Sequence, residues 1–147
     1  MMPRIFPSAL IALILSLVLI IPASAQSGAL AAEDAAQIQS VIKDQIAAFR
    51  KDDGQRAYSH AAPSVRQIFP SVSAFMEMVK RGYQPVYRPQ SYTFEDIRMG
   101  SDGPAQAVRL VGPSNREWIA IYTFQQQPDG SWKISGVYVQ PAPGTTT

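Results

Sequence analysis

The chain has no cysteine and a single histidine in 147 residues. The first absence excludes disulfide staples, a thiol nucleophile, cysteine-ligated zinc or iron–sulfur, and lipidation of a cysteine. The second excludes a multi-histidine metal site within one chain. Charge is scarce as well: charged residues make up 16%, against about 25% in a typical globular domain. Thirteen basic and eleven acidic side chains give a formal +2. No basic block or stripe exists, so the electrostatic footprint of a nucleic-acid binder is missing. Nothing in the pattern calls for a cofactor, and no metal site is expected.

Near the start lies the one long apolar run. Arg4 precedes it, and Ala9–Ile21 is apolar except for Ser16. Pro22-Ala23-Ser24-Ala25 follows, ahead of Gln26. A positive start, a short apolar run and an A-x-A end predict a secretory signal peptide, residues 1–25, cleaved after Ala25. At 1.5 Å per residue the run reaches about 20 Å, short of a ~30 Å hydrocarbon core, so no stable membrane insertion is expected once the leader is removed. The implied destination is periplasmic or secreted. Losing Arg4 leaves +1 on the remaining side chains.

The rest fits one domain. Residues 26–34 read as a flexible N-terminus, 35–139 as a single α+β domain, and 140–147 as a disordered tail. Ile38, Val41, Ile42, Ile46 and Phe49 recur at spacings of three and four and predict a first helix from about Glu33 to Lys51, with Glu33 and Asp34 at its start. Gln45 is the exception, a polar residue inside the apolar stripe, which needs a partner if buried. Asp52 or Asp53 caps a second helix that ends before Pro63. A bridge holding at most a short turn follows. Ser71 or Ser73 then opens a third helix carrying Phe75, Met78 and Val79. Two prolines make Tyr83–Pro89 an extended connection. Four strands follow, near 90–99, 105–111, 116–124 and 131–139, joined by Gly-, Pro- and Asn-rich turns that favour an antiparallel meander. The expected class is α+β, with three N-terminal helices packed on a curved four-stranded antiparallel sheet. Both sheet faces are partly apolar, so the outer one needs a cover or forms a homodimer surface.

Several stretches carry a likeness. Ala48-Phe49-Arg50-Lys51-Asp52-Asp53, Ala61-Ala62-Pro63, the run from Phe75 to Pro89 and the close from Pro128 to Tyr138 resemble a small bacterial exported family known as a domain of unknown function, DUF4864. The close also resembles endings in the nuclear-transport-factor-like, SnoaL-like and ketosteroid-isomerase-like superfamily. That resemblance implies a cystatin-like cone. It brings no catalytic residues, and fold analogy does not choose between enzyme, carrier and interaction domain.

Candidate site residues fall into three groups. His60 suits general-base work near neutral pH but has no partner close in sequence. Asp96 shares a strand face with Tyr92 and Phe94, where a cavity would raise its pKa. Either would serve an isomerase- or dehydratase-type enzyme, the less favoured alternative. Arg81, Tyr83, Tyr87 and Arg88 put two guanidiniums and two phenols into eight residues, a pattern suited to clamping an anion at a cavity mouth. Arg109 adds a third cation. The favoured reading is a non-catalytic exported domain that binds a small apolar or anionic ligand or an envelope protein partner, with a structural homodimer as the alternative.

Overall fold

The computed structural model describes residues 29–144. The predicted leader, its cleavage site and its span arithmetic lie outside them. The element order is α1 (Ala32–Arg50), α2 (Gly54–Ser59), α3 (Pro63–Ile68), α4 (Val72–Gly82), α5 (Gln84–Tyr87), then β1 (Ser91–Gly100), β2 (Gly103–Val111), β3 (Glu117–Gln126) and β4 (Trp132–Pro141), with a short 3-10 turn at Pro113–Asn115.

Helix α1 begins inside the segment expected to be flexible. Glu33 and Asp34 occupy its first turn, where carboxylates complement the helix dipole. Asp34 also accepts from Trp132 Nε1 at 3.0 Å, tying the helix start to β4. The buried stripe is Ile38, Ile42, Gln45, Ile46 and Phe49, with Ala48 beside it. Termination falls to Asp52, which adopts φ 53° while the amides of Asp52 and Asp53 donate to Phe49 O and Ala48 O. Aspartate tolerates this left-handed position better than a branched residue does. Asp53 then caps α2 by accepting from the Arg56 amide at 3.1 Å, and Ser71 caps α4 through the Ala74 amide.

Two features of the expected architecture are corrected. There are five helices among the described residues, not three. The supposed bridge forms α3, and the supposedly extended connection forms α5. In both, proline stands in the first turn, where its missing N–H has no helical partner to lose and its fixed φ suits the helix. The curved, cone-like sheet is not found either. The four antiparallel strands lie in the open order β1-β2-β3-β4, with β1 and β4 at opposite edges. β4 also runs through Pro141, into the expected tail, and the Ala142 amide bonds Glu117 O.

The helices cover one face of the sheet. Val108, Leu110, Ala120, Tyr122, Phe124 and Ile134 meet Ile38, Ile42, Ile46 and Phe49 in a single core. Register keeps these side chains on one face: Phe94 pairs Val108, Val108 pairs Ala120, and Ala120 pairs Val139. The β4 edge is partly closed by the chain between α2 and α3. The Ile134 amide donates to His60 O and the Ala62 amide to Ile134 O, both at 2.8 Å. Past that contact β4 shifts register opposite Thr123 and Phe124. Gly136 is small there because a Cβ would stand 3.0 Å from Thr123 Oγ1.

Candidate functional site

Where the helices meet β4, packing is incomplete. A cavity of about 260 Å³ remains. Helix α1 contributes Gln45 and Phe49 to it, and α4 contributes Phe75, Met78 and Val79. Val65, Ile68 and Phe69 come from the α3 region, Tyr83 and Val86 from the start of α5, and Ile134 to Val137 from β4. No lining side chain is acidic, basic or imidazole. Ile68, 71% exposed, marks the open side. Phe49 and Phe75 stack with ring centroids 6.3 Å apart, and Tyr58 adds a tilted contact to Phe75. Short helices explain the gap. Six-residue α3 buries no residue of its own, so it borders the space without filling it.

The polar lining is small. Gln45 is 3% exposed, and its Nε2 donates to Ala57 O at 3.1 Å. Ser135 Oγ is bonded to Thr123 Oγ1. Tyr83 is half-buried and is the one candidate ligand-binding residue that the fold brings to the cavity wall.

The other candidates lie elsewhere. Arg81 is exposed on the last turn of α4. Tyr87 donates to Asp52 Oδ1, and Arg88 pairs with Asp52 Oδ2 at 2.9 Å. Arg88 also donates to Phe49 O at the end of α1 and lies 4.0 Å from the centroid of the Tyr87 ring. The Tyr87 hydrogen bond, aided by Arg88, holds the Asp52 carboxyl below its ordinary range, and the same bond raises the Tyr87 phenol. The cluster thus closes the end of α1 and fastens α5 to it. Arg109 sits on the opposite sheet face, bonded to Glu95 at 2.7 Å and Glu117 at 3.3 Å. These carboxylates, Glu95 first, push its pKa up and engage its Nε and Nη1.

His60 has the partner that sequence proximity did not offer. Its Nε2 lies 2.5 Å from Asp44 Oδ2, and Arg56 bonds the same carboxylate. The Arg56 hydrogen bonds, then His60, hold Asp44 below the ordinary value against a partial desolvation. This trio joins α1 to the end of α2 and does not line the cavity.

Asp96 faces water, contrary to the alternation argument. Its side chain is 83% exposed, with Arg98 4.0 Å away. The cause is a bulge in β1: Phe94 pairs Val108, but the next paired residue is Ile97, opposite Gln106. Two residues occupy one step, so Ile97 takes the inner-face position. Gln106, fully buried, holds the bulge. Its Nε2 donates to Glu95 O and Ala107 O, each at 2.8 Å, and its Oε1 accepts from Gln39 Nε2 at 3.1 Å.

Among the described residues no group of three or more His, Asp and Glu is placed to hold a metal ion. No helix there is long and apolar enough to cross a membrane.

These features define an α+β domain with helices on one face of an open antiparallel sheet and an uncharged cavity between the layers. The chain belongs to the family described as Domain of unknown function (DUF4864), whose family model matches residues 31–147. No curated protein matches the chain, and no solved structure does.

Proposed function

We propose that this is an exported, non-catalytic domain that holds a small apolar ligand between its helices and β4. The observation that carries this reading is the 260 Å³ cavity with no charged side chain in its wall. A dry cavity of about 150 Å³ accommodates benzene, so the space here suits roughly ten to twelve non-hydrogen atoms. The anionic version of the ligand has less support, because Arg88 and Arg109 are spent on Asp52, Glu95 and Glu117. The enzyme alternative is weakened by placement: His60 and Asp96 do not line the cavity.

The experiment is native mass spectrometry of protein purified without refolding, beside the cavity-filling variant Val137→Trp. The expected result is a small bound mass on the natural protein that the variant lacks. Equal bare masses from cells of several growth conditions would count against the reading.

A second reading, a homodimer through the uncovered sheet face, is favoured by Tyr138. It is 64% exposed and pairs with Ile121 on the face away from the helices. Light scattering on the natural protein and on Tyr138→Lys tests it. A concentration-dependent dimer lost in the variant is expected, and a monomer throughout would remove it.

A further inference from the structure

The polar exception in the first helix has one half of its chemistry unspent. Gln45 Nε2 donates to Ala57 O, which fixes the amide's orientation, because only the nitrogen end can donate to a carbonyl. The oxygen end is then the free end. Among the described residues nothing donates to Gln45 Oε1. It is not a sealed atom either. The only side-chain polar atom closed off without a partner there is the Tyr122 hydroxyl. The residue is nonetheless 3% exposed, and the open space it borders is the cavity. An unpaired acceptor therefore borders a largely apolar chamber, whose other polar side chains are Tyr83 and Ser135.

We infer that the cavity is built for a neutral ligand carrying one hydrogen-bond donor, a phenol or an alcohol, whose hydroxyl donates to Gln45 Oε1. This rests on the cavity reading above and adds the ligand's chemical class. A buried acceptor met by an apolar group stays unpaired and costs binding; met by a hydroxyl it is satisfied. A site made to bond a substrate hydroxyl discriminates strongly against the analogue without one. A carboxylate ligand is the wrong sign of partner, since it brings acceptors to an acceptor and no cation lines the wall. Ser135 donates its hydroxyl proton to Thr123 Oγ1 and keeps acceptor capacity, but it is only half-buried, where water can meet it, whereas Gln45 is 3% exposed; the Gln45→Met variant separates the two acceptors.

The test compares three probes built on one naphthalene ring, on the whole protein: 1-naphthol, 1-methoxynaphthalene and 1-naphthoate, the methoxy compound being the size control for the decisive comparison. Methyl groups of Val79, Ile134 and Val137 report occupancy by NMR, and calorimetry gives affinities. Apolar burial alone would rank the methoxy compound first, since it carries the extra methyl. The expected result is the reverse, with 1-naphthol at least fivefold tighter than 1-methoxynaphthalene and 1-naphthoate weakest. In Gln45→Met, the naphthol preference should shrink to within twofold, with thermal melting recorded to show that the variant folds. The probe ranking on the natural protein stands even if it does not. Equal or tighter binding of the methoxy compound, or tight binding of the carboxylate, overturns the ligand class while leaving the cavity reading intact. Failure of all three to move the lining methyls overturns both.

Discussion

Replacing Gln106 by methionine removes the support of the β1 bulge while keeping side-chain volume close to that of the natural residue. Gln106 is 0% exposed and serves three groups: the carbonyls of Glu95 and Ala107 and the amide of Gln39. Each buried polar group left without a partner costs about 1–3 kcal/mol. Glu95 is exposed and regains water, while Gln39 and Ala107 are half-buried and regain it only in part. Methionine recovers some energy through apolar burial. The net expectation is a loss of about 2 kcal/mol, equivalent to a fall in melting temperature of roughly 6–10 °C for a domain of this size. Urea denaturation monitored by tryptophan fluorescence and by circular dichroism measures it, with coincident transitions confirming two-state behaviour. The backbone amides of Glu95 to Ile97 should also lose hydrogen-exchange protection before the rest of the sheet. A change below about 0.5 kcal/mol, within the range of an ordinary surface substitution, would refute the claim that this amide holds the bulge.

Other consequences follow from single residues. Gly103 adopts φ +124° and a Cβ there would meet Phe124 O at 2.8 Å, whereas Gly130, at φ +86°, has open space around it. Gly103→Ala should therefore cost about 2–4 kcal/mol and Gly130→Ala only about 1, as read from urea midpoints. Asp44 has a folded-state pKa below the ordinary 3.8, so its contribution to stability is complete above that value and is lost as pH falls through the folded one. Asp44→Asn should thus destabilise the protein near neutral pH and have a smaller effect at pH values below 3.8, checked by melting curves across that range. Arg88→Gln should lower the melting temperature by freeing the end of α1, yet leave 1-naphthol affinity unchanged, since Arg88 does not line the cavity.

The sequence made part of this legible and concealed part, for identifiable reasons. The α1 stripe, the Ser71 and Asp53 caps and the four-stranded meander each follow from spacing or turn chemistry confined to a few residues. Pro85 misled because proline breaks a helix only in its interior, and this one stands in the first turn of α5; Pro63 rightly marked the end of the second helix but also opens α3. Asp96 misled because simple alternation assumes no bulge, and the device that creates one, Gln106, lies on the next strand. His60 could not be matched with Asp44 because the two are brought together by the fold, sixteen positions apart. The Arg and Tyr cluster around Arg88 looked available for a ligand because sequence does not show that Asp52, held in a left-handed turn, collects it. For the cavity the usable signal was Gln45: a polar side chain in the middle of an apolar stripe stands where α1, through Gln45 and Phe49, borders the space the core does not close. Its depth and uncharged lining come from the shortness of α3 and the course of β4, which no local pattern encodes.

Ligand binding requires that the space beside β4 admit a small molecule. Its most direct test is a methyl NMR titration of the natural protein with 1-naphthol. Saturable shifts are expected at Val65, Val79, Ile134 and Val137, with Ile38 and Val108 of the closed core unmoved, and loss of those shifts in Val137→Trp. Shifts absent from the lining methyls, or spread equally over core and surface, would contradict it.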